Sequence, residues 1–321
     1  MADANDKYKD RYKDIVKSKN VRMQILKLLS FVPDKLMIKL QYRIKCHEKL
    51  NLKNPKTLGE KINWYKLYWH DDSMHICSDK YLVRGYLEER GLGKYLNELY
   101  AVYDRVEDVD FDALPDSFVM KTTNGSGTNI IVPDKSKLDL EETRETLRHF
   151  MQRPAKKSPG REWGYYGQTP RIIVEKLLVP TDQIGEGIDD YKFMCFNGEP
   201  KYIWVDTDRS GPHYRSLFDM DFNMYPCACH HPNIPKEQLA KAGKPKMLPE
   251  MIELARTLCK DFPHVRVDMY SFGDTIVFGE MTFYSGSGYS TSHNSIDPPE
   301  YADFFGDMFT LPEPKKADSE K

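Results

Sequence analysis

Phe118-Val-Met-Lys-Thr-Thr-Asn-Gly-Ser-Gly-Thr-Asn-Ile-Ile-Val132 joins two short apolar runs through a polar turn carrying two glycines, a pattern of strand, tight loop and strand. Gly125 and Gly127 let the backbone take positive φ and approach a ligand closely. Successive N–H groups in such a turn can cradle an anion, and Lys121 adds a cation at its base. Taken alone, the same features suit an ordinary hairpin. The chain has no GxxxxGKS/T loop, and the segment runs on into a strand rather than a helix, against both P-loop and Rossmann readings.

Further stations follow in the direction of the chain. Arg171-Ile-Ile-Val-Glu-Lys-Leu-Leu178 reads as a buried strand. Asp190 to Val205 reads as a hairpin turning at Asn197-Gly198, with Lys192 in its first strand. His264-Val-Arg-Val-Asp-Met-Tyr270 sets Arg266, Asp268 and Tyr270 on one strand face, and Val277 to Phe283 does the same for Glu280 and Thr282. A hairpin around Gly273-Asp274 would let Asp268 and Glu280 face each other and hold Mg²⁺, which takes a few carboxylates together with phosphate oxygens.

Around these stations the chain reads as α+β. Helical patterns at 20–32, 34–47, 57–70, 78–91, 139–151 and 247–260 accompany strand-like runs at 98–103, 117–122, 128–132, 171–177, 190–196, 200–206, 264–270 and 275–283. Thr57 with Glu60 forms a capping box. Residues 153–169, with Trp163, Tyr165 and Tyr166, read as a long functional loop.

Composition marks an ordinary globular protein: 321 residues, 40% hydrophobic and 30% charged. The six cysteines and the lack of an obvious leader fit a reducing cytoplasm, and no apolar run reaches transmembrane length. The net charge of −2 conceals an asymmetry, because residues 1–61 carry 16 Lys and Arg against 7 Asp and Glu. That basic excess falls on an amphipathic pattern of Val21, Ile25, Leu28, Leu29 and Val32, then Leu36, Leu40 and Ile44 beyond Pro33. The pattern suits docking on anionic lipid, at the inner face of a membrane, or on a polyanionic glycan. The commoner arrangement is a helix pair whose apolar face packs on the main domain, and that is the expectation here. The acidic remainder of the chain argues against nucleic acid.

The order of stations resembles an ATP-grasp fold. Leu50-Asn-Leu-Lys-Asn-Pro-Lys-Thr57, Ser78-Asp-Lys-Tyr-Leu-Val-Arg84, the Lys121 loop, Val205-Asp-Thr-Asp-Arg209 and Gly279-Glu-Met-Thr-Phe-Tyr284 look like the TupA-like ATP-grasp family of teichuronopeptide and capsular polysaccharide biosynthesis. The resemblance spans roughly residues 30–310. It implies a basic helical region over 1–77, an N-terminal ATP-grasp subdomain over 78–178, a C-terminal subdomain with the metal site over 179–312 and a disordered tail over 313–321.

The resemblance also implies ATP and Mg²⁺ as cofactors. Lys121 and Lys192 would contact phosphate, and Asn124, Gly125, Ser126 and Gly127 would close over the β- and γ-phosphates. Glu175-Lys176-Leu177 would be the hinge reading adenine, Asp268 and Glu280 would hold Mg²⁺, and Arg266 would steady the transferring phosphoryl group. Thr282 stands where related ligases often carry Asn, and Asn124 stands where His is expected. The implied reaction joins a carboxylate, a uronic acid or related group of a cell-surface glycan, to an amine or amino acid through an acyl-phosphate. Arg209, His213 and Arg215 suit the acceptor carboxylate, with Ser285 and Ser287 also on the substrate side.

Alternatives remain. The same site could phosphorylate a glycan or sugar hydroxyl. Asp206-Thr-Asp208 matches the DxD of many glycosyltransferases, and Cys227-Ala-Cys-His-His231 invites a zinc reading despite its tight spacing. A scaffold with a vestigial nucleotide site is disfavoured by the intact Lys121, Asp268 and Glu280.

Overall fold

Pro33 divides the basic N-terminal segment. In the computed structural model, which describes residues 18–125, 127–152, 157–179, 187–207, 214–229 and 243–320, helix α1 (Lys19–Leu28) is capped by the Ser18 side chain. A 3₁₀ turn over Leu29–Phe31 leads to helix α2 (Asp34–Cys46). The expected packing of this pair is overturned. Leu36, Leu40 and Ile44 face solvent, while Met37, Ile38, Gln41, Tyr42 and Cys46 turn inward. Helix α2 carries two apolar stripes, and the one holding Tyr42 and Gln41 wins the interior. Tyr42 packs with Leu50 and Tyr289, and the Tyr289 hydroxyl donates to Gln41 at 2.7 Å.

Helix α3 (Leu58–Tyr68) opens with the expected capping box, the Glu60 amide donating to Thr57 Oγ1 at 3.2 Å. The helix expected over 78–91 is shortened to α5 (Leu82–Glu88), and a separate short helix, α4 (Ser73–Ser78), precedes it. Asp79 breaks them, its carboxylate accepting from the amides of Tyr81 and Leu82 at 2.8 and 2.9 Å.

Two antiparallel sheets follow. The first holds β1 (Leu99–Tyr103), β2 (Phe118–Thr122), β3 (Asn129–Val132) and β4 (Ile172–Glu175) in the order β1-β4-β2-β3. Phe118, Met120, Val132, Ile172 and Val174 belong to one buried cluster with Val106 and Phe111, from the segment between β1 and β2, and with Leu147 of helix α6 (Leu140–Phe150).

The second sheet comprises β5 (Asp190–Phe196), β6 (Glu199–Thr207), β7 (Tyr214–Phe218), β9 (His264–Phe272) and β10 (Thr275–Thr282), in the order β10-β9-β5-β6-β7. A small ribbon pairs β8 (Ala228–Cys229) with β11 (Ile296–Asp297). Helix α7 (Leu248–Cys259) packs on β5, β6 and β9, and helix α8 (Glu300–Asp307) packs on α3. The Asn197-Gly198 hairpin forms as read, both residues at positive φ.

Two further expectations change. Residues 313–320 do not form a free tail: Lys315 pairs with the Tyr68–His70 backbone, its ammonium lies over Trp69, and Ala317 is buried. In the 153–169 loop, whose described part begins at 157, Trp163 is buried against His70 and His75 rather than open to a substrate.

Candidate nucleotide site

Alternation places Asp190 and Lys192, Asp206, and Arg266 with Asp268 on one face of the second sheet. Register pairs Glu280 with Asp268, Asp268 with Lys192, and Lys192 with Trp204, and it pairs Asp190 with Asp206 and Asp206 with Arg215. Directly paired residues of neighbouring strands share a face, so these side chains form rows across the sheet. The alignment of Glu280 depends on a bulge at Gly279, because without it Gly279 would oppose Asp268 and Glu280 would point away. A Cβ on Gly279 would lie 3.0 Å from the Asp268 carbonyl, so the bulge leaves little room for a side chain.

Arg266 draws the row together. Its Nε and Nη2 donate to the two Asp268 oxygens at 2.6 Å each, and the same Nη2 donates to Glu280 at 2.9 Å and to the Thr282 hydroxyl at 3.2 Å. The two carboxylates thus converge on one nitrogen. Lys192 Nζ donates to Asp268 at 3.0 Å and to Asp190, with Asp206 at 3.8 Å. Burial raises the Glu280 carboxyl, but Lys80, Arg266, Lys192 and the Thr282 hydroxyl outweigh it and hold it down at about 2. Burial lowers the Lys192 ammonium, yet Asp190 and Asp268 more than compensate and raise it.

Two aligned carboxylates fit Mg²⁺ as a cation that completes its shell with water and phosphate oxygens. Among the described residues no cluster of three or more His, Cys, Asp or Glu is arranged to hold a metal by protein groups alone.

The glycine turn lies at the end of the β2–β3 hairpin. Gly125 and Gly127 take φ of 74° and 71°, as its spacing requires, and Thr122 Oγ1 donates to Thr128 Oγ1 at 2.8 Å across its base. Ser126 lies outside the described residues. Lys121 Nζ sits 2.8 Å from Glu175 Oε2, while Arg84 Nη1 holds Glu175 Oε1 at 3.1 Å. Glu175 therefore clamps two cations at the sheet. Beside it, the Lys176 amide donates to Glu98 O at 3.0 Å and its carbonyl accepts from Asn97 at 2.9 Å, fixing the segment expected to read adenine, which continues into half-buried Leu177.

Lys80 joins the two regions and carries no motif of its own. Its ammonium donates to the Gly125 carbonyl at 2.5 Å, and burial lowers its affinity for a proton while nearby Glu280 supports its charge. The only advance signal was its place after the Asp79 cap, inside the Ser78–Arg84 match.

The expected substrate residues fare unevenly. Arg215 commits its fork to Asp206, at 2.6 and 2.9 Å, and lies over the Trp204 ring, so neither Arg215 nor Asp206 stands ready as a simple acceptor group or DxD ligand. Arg215 lies in β7, whose Tyr214 and Ser216 are buried. Arg209, His213 and Asp208 lie outside the described residues, as do His230 and His231 of the zinc reading. Ser285 is buried with its hydroxyl toward Met194 Sδ rather than facing a substrate. Ser287 accepts from Lys66 through its carbonyl at 2.7 Å and its hydroxyl at 3.1 Å. Burial pushes this Lys66 ammonium down to about 7, against the pull of Glu162. Nothing in a regular helix pattern marked Lys66 as buried.

The family described as TupA-like ATPgrasp matches residues 60–310. No curated protein matches. Among solved structures, D-alanine–D-alanine ligase from Bacillus anthracis complexed with ATP is 18% identical, with 73% of this chain and 63% of that chain covered and a TM-score of 0.40. The Helicobacter pylori enzyme is 13% identical, over 73% of this chain and 61% of that one, also at 0.40. A RimK domain ATP-grasp protein from Sphaerobacter thermophilus is 14% identical, over 74% and 69%, at 0.39. The chain thus spans less than two thirds of the D-alanine–D-alanine ligases' length. With the family match covering most of its length, the chain belongs to the TupA-like ATP-grasp family.

Proposed function

We propose that this chain is an ADP-forming carboxylate–amine ligase acting on a uronic acid or related carboxylate of a cell-surface polysaccharide or its precursor. The observation that carries the reading is the Arg266 fork binding Asp268 and Glu280 together, one strand away from Lys192. A substrate carboxylate oxygen attacks the γ-phosphorus of ATP, the bond to the β,γ-bridging oxygen breaks, and ADP leaves. The amine then attacks the carbonyl carbon of the acyl-phosphate, phosphate departs, and the amine proton is lost as the amide forms. Phosphoryl transfer asks mainly for position and charge neutralisation. Lys121 and Lys192 meet the phosphates, the turn from Asn124 to Gly127 covers them, and Arg266 steadies charge on the transferring group. Mg²⁺ held by Asp268 and Glu280 would neutralise the phosphate oxygens. The Glu175–Leu177 segment takes adenine, and the boundary between subdomains falls after residue 178.

The test is incubation with Mg-ATP, a uronic acid and a panel of amines. ADP and free phosphate released only when both acceptors are present, with an amide product by mass, support the ligase. ADP without free phosphate, with a phosphorylated sugar, replaces it by a kinase. Asp268→Asn should abolish ADP formation while leaving the fold intact.

A further inference from the structure

The outward side of the bend between α1 and α2 has a character that the nucleotide site does not use. Leu28 and Phe31 at the bend are 75% and 81% exposed, and Leu36 and Leu40 on α2 are 60% and 50% exposed. Isolated exposed apolar residues are ordinary, but two large ones at the bend followed by two spaced i, i+4 on α2 give an apolar surface of the kind that marks an interaction site. The bend is also firmly built. Arg161 is buried beneath it and donates to the carbonyls of Leu29 at 2.6 Å and of Ser30 and Val32 at 3.2 Å, and to Asp34 at 2.9 Å. The 3₁₀ turn is thereby fixed with Leu28 and Phe31 outward.

Charge identifies the occupant. Residues 18–61 hold eleven Lys and Arg against three carboxylates, and all three are engaged: Asp34 by Arg161 and Lys157, Glu48 by His293 and the Asn294 amide, Glu60 in the α3 cap. Lys35 and Lys39, the chain neighbours of Leu36 and Leu40 on α2, line an open basin of about 610 Å³ together with Lys49, Lys53 and Tyr68. Among the described residues none of these four lysines forms an ion pair with a carboxylate. A basic basin next to a rigid apolar wedge matches a bilayer surface, where headgroup phosphates meet the lysines and acyl chains meet the wedge. A soluble polyanion would leave the wedge in water, and a second copy of this chain would bring its own lysines against these.

We propose that this face docks the protein on an anionic lipid bilayer. The proposal stands independently of the ligase reading. The test is flotation of the full chain with vesicles of phosphatidylcholine alone and of phosphatidylcholine mixed with phosphatidylglycerol. Binding only to the mixed vesicles, weakened by salt, is expected. Leu28→Ser with Phe31→Ser, and separately Lys35→Glu with Lys39→Glu, should each reduce binding about ten-fold or more, while thermal unfolding and Mg-ATP binding stay at wild-type values.

Failure to float with the mixed vesicles overturns the proposal, as does binding that neither variant weakens. A dimer in light scattering that the Leu28→Ser, Phe31→Ser variant dissociates, without vesicle binding, would assign the face to a second copy. Lysine-dependent binding of a soluble polyuronate without vesicle binding would assign it to glycan.

Discussion

Replacing Arg266 by Met removes the group that holds the centre of the site together, and its cost can be worked from the contacts. The guanidinium makes two bonds to Asp268, one to Glu280 and one to Thr282, and its side chain is 12% exposed. Removing one partner of a buried ion pair costs about 3–5 kcal/mol, because the other charge stays behind uncompensated. Two features reduce that figure. Lys192 still donates to Asp268, and a third of the Glu280 side chain meets solvent. A loss of about 3 kcal/mol is therefore expected in metal-free buffer, read as a shift of the urea midpoint. If Asp268 and Glu280 are the carboxylates that take Mg²⁺, the cation then replaces the missing guanidinium. Mg-ATP at about a hundred times its dissociation constant stabilises a protein by about 2.7 kcal/mol, so it should restore most of the loss. Mg²⁺ should also stabilise the variant more than the wild type, because no arginine competes for the carboxylates. The same variant should lose about 10²–10³-fold in ADP formation at saturating ATP, the usual cost of one transition-state donor. A variant as stable as wild type without metal, or one that Mg²⁺ stabilises no more than wild type, would refute the assignment of these carboxylates to the metal.

Three other perturbations probe the scaffold. His264 is fully buried, one ring nitrogen 3.0 Å from the Cys195 carbonyl and the other without a hydrogen-bond partner among the described residues, and burial pushes its pKa from 6.5 down to about 4. The unfolded chain binds that proton more readily, so the stability from neutral His264 is complete above pH 6.5 and lost as pH falls toward 4, by about 3 kcal/mol. Urea titrations at pH 7 and pH 4 should show this slope in wild type and lack that part of it in His264→Asn; identical slopes would count against it. Glu175→Gln should leave Arg84 and Lys121 facing each other and cost about 1–3 kcal/mol. A double-mutant cycle with Lys121→Met should give a coupling of at least about 0.5 kcal/mol, and strict additivity would mean that the clamp has no energetic weight. Gly306→Ala, which in an exposed helix would gain about 1 kcal/mol, should instead cost about 1–3, because its Cβ would lie 2.0 Å from the Lys56 carbonyl. An unchanged or higher melting temperature would show that α8 is not pressed against the 56–58 turn.

What could be read in advance depended on whether a residue's placement was set by its neighbours in sequence. Strand alternation brought Arg266, Asp268 and Thr282 into view, glycine chemistry gave the 125–127 turn, and the Thr57–Glu60 box gave the start of α3. Lys80, Arg84 and Arg161 were missed because their roles rest on contacts to Gly125, Glu175 and the Leu29–Asp34 bend, 45, 91 and up to 132 residues away. No periodic pattern encodes contacts of that range.

The facing of Asp268 and Glu280 shows the limit of such reading. A regular hairpin centred on Gly273-Asp274 pairs Thr275 with Phe272, Ile276 with Ser271, Val277 with Tyr270 and Phe278 with Met269, and the next step would set Gly279 against Asp268. In that register Glu280 lies on the opposite face from Asp268, because a shift of one residue inverts every side chain. The observed pairing is Glu280 with Asp268, and the extra residue is Gly279. The facing of the two carboxylates therefore rests on one glycine at the bulge, where an added Cβ would lie 3.0 Å from the Asp268 carbonyl. Alternation places each carboxylate on a face of its own strand. Whether the two faces coincide is decided by a backbone irregularity that alternation assumes away, and the same argument explains the reversal in α2. There the helical period identified Leu36, Leu40 and Ile44 as a stripe, but which of two stripes turned inward was decided by Tyr289 and Pro159, which receive Tyr42 and Gln41. Periodicity defines the candidate faces, and distant partners choose among them.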